Sequence, residues 1–327
     1  MSDGHLGAHG FDIIGDVHGC VNTLQKLLKK MDYQKVNGVF EHRSRKAVFI
    51  GDIIDRGPHI REALHLVRDM VDRGSARTVM GNHEYNALLY CTRSQPKTDP
   101  PQYLREHNRR NERILHETLE QFAHYQQEWH EFLQWFREMP VFIEEDHFRV
   151  VHACWDDQLI SEFRKAYPDG VIDEEFLLAS AVRRSFASRV MDRLLRGTDM
   201  PLPAGVTITS DDGYRRSFFR TKFWSIDPQT YNDVVYQPDQ LPLSLQQQAI
   251  SQEEKKRLVS YGADEIPVFV GHYWLKGTPA PVRGNVGCLD YSAVKNGKLV
   301  AYRMDTEKQL DQRKYVWERV SNEVVKL

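Results

Sequence analysis

The first half of the chain repeats a short apolar run, a polar glycine-containing loop and an amphipathic stretch. FDIIGDVHG leads into VNTLQKLLKKM, AVFIGDIIDRG into HIREALHLVRDMV, and ARTVMGNHE into NALLY. Short apolar runs predict buried strands, and apolar positions three or four residues apart predict helices that cover one face of a sheet. Three consecutive strand–helix units predict an α/β sheet whose functional site lies at the carboxyl ends of the strands.

The chain after these three units is predicted to contain a helical insert and then more strands. A polar stretch at about 95–110 precedes apolar residues at helical spacing, so we expect an insert over about 95–139. Helices with a proline-rich exit are expected over 156–205, and a loop leading to a polar helix over 238–257. The predicted strands are the hairpin PVFIEEDHFRVVHACW and the segments VTITS, YRRSFFRTKFW, PVFVGHYW, VGCLDYSAV and KLVAYRMD.

Composition excludes several classes of protein. Hydrophobic residues make up 41% and charged residues 28% of the 327 residues, as in ordinary globular proteins. The net charge of −2 gives no overall field to hold a long nucleic acid. The polar opening MSDGHLGAHG lacks the features of a secretory signal, and no stretch approaches the roughly 18 apolar residues of a membrane span. We therefore expect a cytoplasmic protein that binds neither membrane nor long nucleic acid.

Residues that commonly bind metal ions follow five of the predicted strands. Carboxylate and imidazole ligands suit Mn, Zn or Fe, and a carboxylate can bridge two cations. One such residue alone is more often a capping or solvated loop residue, but five segments with the same pattern predict a site for two metals. The candidate residues are Asp16 and His18 in GDVHG, Asp52 in GDIIDRG, Asn82 in GNHE, His152 in VVHA and His272 in FVGHYW.

These motifs together resemble the calcineurin-like metallophosphoesterase superfamily, most closely its phosphoprotein phosphatase branch and the related bacterial dinucleoside polyphosphate hydrolases. The resemblance covers Phe11 to about Trp155 and returns from Val268 to Arg303. It implies a four-layer αββα sandwich of two mixed β-sheets flanked by helices. It also implies a single domain over 1–327, with the helical insert at about 95–139 and a variable substrate-side segment at about 156–265.

The resemblance further implies two divalent metal ions, with Mn²⁺ expected and Fe or Zn as alternatives. Asp52 would bridge the two metals, and hydroxide between them would attack phosphorus directly. The implied ligands are Asp16, His18 and Asp52 for the first metal, and Asp52, Asn82, His152 and His272 for the second.

The resemblance also implies the residues that act on the substrate. His83 would protonate the leaving oxygen and Asp55 would orient its imidazole, which suits a histidine paired with a carboxylate. Arg56 would bind phosphate oxygens with its planar guanidinium, and Asn82 also counts as a substrate-binding residue. A second basic group is expected from Arg216, Arg220 or Lys222, with Arg220 ranked first, although a solvated strand face explains these charges equally well.

Four functions are consistent with this site. The first is a phosphomonoesterase that acts on phosphorylated Ser, Thr or Tyr side chains of proteins or on small phosphoesters. The second is a dinucleoside polyphosphate hydrolase, for example of diadenosine tetraphosphate. It stays open because His152 is followed by Ala153, Cys154 and Trp155, whereas the corresponding histidine of protein phosphatases is usually followed by two glycines. Third is a 2′,3′-cyclic nucleotide or RNA-end phosphatase. The fourth is a catalytically silent binding module.

Overall fold

The computed structural model describes residues 10–94, 101–209, 215–236 and 241–320. The start of the predicted insert at 95, Tyr214 of a predicted strand and the start of the predicted loop at 238 lie outside these ranges. The strands are β1 Gly10–Ile14, β2 Gln34–Val36, β3 Val39–Glu41, β4 Arg45–Phe49, β5 Ala76–Thr78, β6 Phe142–Glu144, β7 Arg149–Val151, β8 Thr198–Pro201, β9 Ile208–Thr209, β10 Arg215–Arg216, β11 Phe218–Thr221, β12 Val268–Val270, β13 Val286–Cys288, β14 Asp290–Tyr291, β15 Lys298–Met304 and β16 Tyr315–Arg319.

Helices follow the strands of the first half and build the middle of the chain. They are α1 Val21–Lys30, α2 Ile60–Asp72, α3 Asn82–Cys91, α4 Arg109–Gln121, α5 Gln126–Glu138, α6 Asp157–Phe163, α7 Glu174–Ser180, α8 Phe186–Arg196, α9 Tyr231–Val234, α10 Leu243–Gln246 and α11 Gln252–Lys255, with short 3₁₀ turns at Ala293–Lys295 and Gln312–Lys314. The three predicted strand–helix units are thus β1–α1, β4–α2 and β5–α3. The predicted helical insert contains α4 and α5.

The first sheet has the strand order β14-β15-β1-β4-β5, and β16 pairs with β15. Strands β1, β4 and β5 run parallel, with Ile14 opposite Phe49. Strand β15 runs antiparallel to β1, with Ala301 opposite Ile14. The carboxyl ends of the three parallel strands and the amino end of β15 therefore share one edge of the sheet.

The second sheet has the strand order β13-β12-β7-β6, in which β7, β12 and β13 run parallel. Its β6–β7 hairpin is antiparallel, with Ile143 opposite Val150, as PVFIEEDHFRVVHACW predicts. The segment after β7 contains His152, and the segment after β12 contains His272. Both histidines therefore follow the carboxyl ends of neighbouring parallel strands.

Alternation of buried side chains stacks the two sheets face to face. Ile13 and Val48 of the first sheet share an apolar cluster with Val150 and Phe269 of the second. The intervening residues of these strands, such as Ile14, belong to a cluster that includes the helices. Helices α1 and α2 contact the first sheet, and α8 follows the second, where the Leu194 carbonyl accepts a hydrogen bond from Ala153 N at 2.8 Å. The predicted four-layer αββα fold is confirmed.

The segment between α8 and β12 forms a smaller substructure. Strand β8 pairs with β11 and β9 with β10, and their apolar residues form a separate cluster with α9 and α10. The exit from the predicted helical stretch is a strand at Thr198–Pro201, because Thr198 and Met200 alternate as buried positions opposite β11. No helix within the described ranges is both long and apolar enough to cross a bilayer.

Candidate metal centre and active site

The two stacked sheets bring the six predicted metal ligands to one edge. Each lies at or just after the end of a strand or at the start of α3, and each is at least nine-tenths buried. They are Asp16 and His18 after β1, Asp52 after β4, Asn82 at the start of α3, His152 after β7 and His272 after β12.

Asp52 lies at the centre of this group. Its Oδ2 is 3.6 Å from His18 Nε2 and 3.8 Å from His83 Nε2, whereas its Oδ1 is 3.4 Å from His152 Nε2. Burial acts to raise the pKa of Asp52, but the charge of His152, together with the neighbouring His83 and His18 imidazoles, holds it well below its usual value. Asp52 is therefore a carboxylate whose two oxygens face different imidazoles, as a bridging ligand requires.

Asn82 joins the histidines of the second sheet. His272 Nδ1 lies 2.7 Å from Asn82 Oδ1, and His152 Nε2 lies 3.1 Å from the same oxygen. The backbone N–H of His272 donates to Asp16 Oδ2 at 3.2 Å. These contacts connect β1 with β12, so the candidate ligands from both sheets form one continuous polar cluster.

The cluster contains buried atoms that lack a hydrogen-bond partner among the described residues. They are Asp16 Oδ1, His272 Nε2 and Asp290 Oδ2. Burying a polar atom without a partner costs free energy, and a bound cation would satisfy such atoms. Oxygen and imidazole donors of this kind suit a divalent metal.

Two groups of candidate ligand atoms share Asp52, and the atoms within each group lie within 4.8 Å of one another. One contains His18, Asp52 and His83, and the other contains Asp16, Asp52 and His152. The residues present therefore fit two divalent cations. The grouping separates Asp16 from His18, which the expected ligand sets place on one metal, so the assignment of each ligand to a particular metal stays a prediction.

Backbone carbonyls orient the candidate histidine ligands. His18 Nδ1 donates to the carbonyl of Ile54 at 2.7 Å, and His152 Nδ1 donates to that of Ile50 at 2.8 Å. Such contacts fix the rotation of the imidazole ring and direct Nε2 toward the centre of the cluster.

Unusual backbone conformations are concentrated in this site. Five of the eleven non-glycine residues with positive φ in the described ranges lie here, with φ between 43° and 67°: His18, Asp52, Asp55, Arg56 and His272. Non-glycine residues rarely adopt positive φ, and such strain is found where the surrounding structure fixes a functional side chain. The strained backbone directs these side chains into one volume.

Gly271 makes room for a candidate ligand. A Cβ at position 271 would lie 2.0 Å from Asp16 Oδ1. Any larger residue would therefore displace the Asp16 carboxylate, which explains why glycine precedes His272 here.

Glu84 holds the loop that contains Asp52, and the sequence analysis did not assign it a role. Its carboxylate accepts hydrogen bonds from the backbone N–H of Asp52 and Ile53 at 2.8 Å each and from Gly81 at 3.0 Å. Burial raises the pKa of Glu84 to about 7. The only signal in the sequence was its place as the last residue of GNHE.

The predicted proton donor His83 is paired with Asp55. His83 Nδ1 and Asp55 Oδ2 are 2.5 Å apart, and Thr118 of the insert donates to Asp55 Oδ1 at 2.5 Å. Burial lowers the pKa of His83 to about 3 and raises that of Asp55, so both shifts favour an uncharged pair. Thr118 is a residue that the sequence analysis missed, because it lies on α4, far from the motif it supports.

Arg56 lies between the cluster and a tryptophan. Its Nη1 donates to His18 Nε2 at 3.0 Å, and its Cζ lies 5.0 Å from the centroid of the half-buried Trp274 ring. Burial and then the charge of Arg56 lower the pKa of His18 well below its usual value. The guanidinium is thus beside the candidate ligands, where it can reach a bound phosphate.

The expected second basic group is placed on β10 and β11. Burial and then the positive charge of Arg220 lower the pKa of His272, so the Arg220 guanidinium is near His272 in space although it is distant in the sequence. Arg216 ends β10, and Lys222 follows β11. The role of Arg220 in substrate binding stays a prediction.

Asp290 of β14 lies next to Asp16. Burial and then the negative charge of Asp290 raise the pKa of Asp16 well above its usual value, and burial raises the pKa of Asp290 to about 6. Two buried carboxyl groups this close repel each other when both are ionised, and a cation would relieve that repulsion.

A two-sheet sandwich with two candidate ligand groups that share a buried carboxylate is an arrangement that suits metal-assisted hydrolysis. The sequence model of the calcineurin-like phosphoesterase family matches residues 10–197, which is more than half of the chain. The chain therefore belongs to that family.

Similar proteins include curated bacterial enzymes named bis(5′-nucleosyl)-tetraphosphatase PrpE (asymmetrical). That of Halalkalibacterium halodurans is 47% identical over 74 residues, and that of Bacillus subtilis is 42% identical over 74 residues. Each match covers 22% of this chain and 30% of the relative. A protein serine/threonine phosphatase of Saccharomyces cerevisiae, similar to human PP5, has a TM-score of 0.51 at 13% identity, over 97% of this chain and 81% of that chain. This last likeness concerns the fold.

Proposed function

We propose that the chain hydrolyses dinucleoside polyphosphates, such as diadenosine tetraphosphate, with two bound Mn²⁺ ions. The observation that carries the hydrolytic chemistry is the position of Asp52 among three histidines, next to the His83–Asp55 pair. The names of the curated relatives support a dinucleotide substrate. A dinucleotide is for this reason the first candidate substrate, ahead of the phosphomonoesters that the motifs alone favour.

The metal ligands in this proposal are the six residues of the cluster. Two cations held there would neutralise charge on the phosphoryl oxygens and lower the pKa of bound water from ~15.7 toward ~7. The six residues are Asp16, His18, Asp52, Asn82, His152 and His272.

Three further side chains act on the substrate in this proposal. His83 donates the proton on Nε2 to the leaving oxygen, while Asp55 orients the ring and supplies its own proton to Nδ1. Arg56 binds two phosphate oxygens with its guanidinium, which is anchored against Trp274. Arg220 and Asn82 contribute contacts to the same phosphate from the side of β11 and α3.

A phosphomonoesterase, including a serine/threonine or tyrosine protein phosphatase, is the second candidate. The buried His83–Asp55 pair favours it, because an ester oxygen leaving as an alkoxide needs a proton. An anhydride releases a phosphate oxygen, which is a weaker base and depends less on a proton donor.

Hydrolysis assays on three substrates separate these functions. Metal-stripped protein is tested on para-nitrophenyl phosphate, a set of phosphopeptides and diadenosine tetraphosphate, with and without Mn²⁺. We expect Mn²⁺-dependent activity with the highest kcat/KM on the tetraphosphate. A preference for phosphopeptides would establish the second candidate, and no hydrolysis of any substrate would support a silent binding module.

A further inference from the structure

A recess of about 320 Å³ lies at the amino end of β15 and is lined by four basic residues. They are Lys276, Lys295, Lys298 and Arg319, and we call this feature the basic recess. Among the described residues, no Asp or Glu lines it. A concentration of positive charge in a concave surface attracts anions, since the surrounding protein focuses the field.

The basic recess lies at the same sheet edge as the metal cluster. Ile14 at the end of β1 pairs with Ala301 of β15. Lys298 is the first residue of β15 and comes before Ala301, so it lies beyond that end of β1, toward the loop of Asp16. Lys298 also pairs with Tyr291 and with Arg319 on the two neighbouring strands. The register of β15 thus places three recess residues within one layer of the sheet edge.

Trp274 connects the recess with Arg56. The Trp274 ring centroid lies 5.0 Å from Arg56 Cζ and 3.6 Å from Lys295 Nζ. Both cations contact the same indole, so the positive charge that begins at Arg56 continues across Trp274 into the recess. The candidate phosphate-binding arginine and the recess are therefore parts of one basic surface.

Three basic residues of the recess, Lys276, Lys298 and Arg319, have no carboxylate partner in the part of the chain that the structure describes. Within those ranges Lys276 and Arg319 form no ion pair, and Lys298 Nζ donates to the backbone carbonyl of Gly277. Another recess of the molecule differs in this respect, because Glu144 and Asp157 line it beside its arginines. Of these two recesses, the basic recess is the one whose lining charge suits a polyanion.

We propose that the basic recess binds the distal phosphate groups of a polyphosphate chain whose reacting phosphorus lies at the metal cluster. The inference rests on the proposed function in taking a polyphosphate as the substrate. The size of the recess fits a few phosphate groups, and its lysines and arginine supply charged donors to their oxygens. The recess determines specificity, because a substrate with one phosphate leaves it empty.

The double variant Lys276→Glu, Arg319→Glu tests the inference. Both side chains are exposed, so the reversal of charge leaves the buried core unchanged. We expect the KM for diadenosine tetraphosphate, relative to the KM for para-nitrophenyl phosphate, to rise by about tenfold or more. The full chain is assayed with a fixed excess of free Mn²⁺.

The matched control is Lys308→Glu. Lys308 is also exposed, but it follows the opposite end of β15. The control changes the net charge in the same direction and should leave the ratio of the two KM values within about twofold of the native ratio. An equal rise in the control would mean that general charge, and not the recess, causes the effect, which overturns the inference.

A second measurement separates the recess from the proposed substrate. Inorganic tripolyphosphate is tested as a competitive inhibitor of para-nitrophenyl phosphate hydrolysis, at the same excess of free Mn²⁺. We expect its inhibition constant to rise about tenfold or more in the double variant, even if the native chain does not hydrolyse diadenosine tetraphosphate. In that case the proposed function fails and the anion site stands.

Two outcomes contradict the inference directly. An inhibition constant and a KM ratio that both stay native in the double variant would show that the recess does not bind polyphosphate. A rise confined to the KM of an acidic phosphopeptide would assign the recess to a peptide.

Discussion

At the scale of single residues, Asp52 has the position with the clearest consequence, because its two oxygens face different histidines. We expect Asp52→Asn to lose at least one of two bound metal ions, since an amide is neutral and binds cations more weakly than a carboxylate. Metal content after dialysis, measured by mass spectrometry, tests this. Asp69→Asn, an exposed change on α2, is the control. Two metals retained in Asp52→Asn would refute the assignment of the bridge.

His83 should affect turnover without affecting metal content. We expect His83→Ala to keep both metals and to slow hydrolysis by roughly 10²–10⁴-fold, the range of general acid catalysis. The loss should be larger for phenyl phosphate than for para-nitrophenyl phosphate, because phenolate is the stronger base and depends more on a proton. Steady-state rates on the two esters test this prediction. An equal loss on both would argue against proton donation by His83.

At the scale of structural elements, helix α4 of the insert supports the catalytic loop. Thr118 Oγ1 contacts both the carboxylate and the backbone N–H of Asp55, and Gln121 contacts Gly57 O and Ile60 N. We expect Thr118→Val to reduce kcat by roughly 10–100-fold, the range for partners that orient functional groups, while KM and metal content stay near native.

Thr118→Ser is the matched variant for this helix, because it restores the hydroxyl and should recover most of kcat. If Thr118→Val instead lowered metal content or raised KM with kcat unchanged, the threonine would be a general structural residue. The same kinetic constants and a metal analysis decide between the two.

Asp12 joins the central strands of the first sheet. Its fully buried carboxylate accepts from Arg45 Nε at 2.9 Å and from Arg303 Nε at 3.2 Å, which connects β1 with β4 and β15. Removing one partner of a buried ion pair leaves the other charge unsatisfied. We expect Asp12→Ala to lower the free energy of unfolding by about 3 kcal/mol in urea titrations. Glu318→Gln, at an exposed ion pair, should cost less than about 1 kcal/mol.

At the scale of the whole molecule, metal binding should stabilise the fold. The cluster joins loops of both sheets, so cations bind the folded chain and not the unfolded one. At a free metal concentration 100 times Kd this contributes about 2.7 kcal/mol. We expect a chelator to lower the Tm by several degrees and Mn²⁺ to restore it, in differential scanning calorimetry. A smaller shift in Asp52→Asn is expected, and an equal shift would indicate metal binding elsewhere.

Local sequence predicts the parts of this molecule that depend on neighbouring residues. The strand–helix units and the candidate ligands after their strands are predictable because a polar residue after an apolar run is visible in one short segment. The role of Thr118 was not visible, because it lies 63 residues from Asp55 and only the packing of α4 brings them together. Glu84 is visible as the last residue of GNHE, but its contacts with the backbone of the Asp52 loop depend on the fold.

The basic recess illustrates a second limit of sequence analysis. Its lysines come from the loop after β12, the turn before β15 and β15 itself, and Arg319 ends β16. No spacing in the sequence joins these positions, since strand register determines which of them meet. Charge counted along the chain is nearly balanced, whereas charge counted over this surface is strongly positive.

The hydrogen bonds between α4 and the Asp55 loop also have a consequence for constructing hybrid enzymes. A designer who exchanges the insert between relatives, in order to alter substrate preference, also exchanges the Thr118 hydroxyl that contacts Asp55, the partner of the proposed proton donor His83. Insert and loop must therefore be transplanted as a matched set. A hybrid assembled from unmatched halves would fold, load its metals and still turn over slowly.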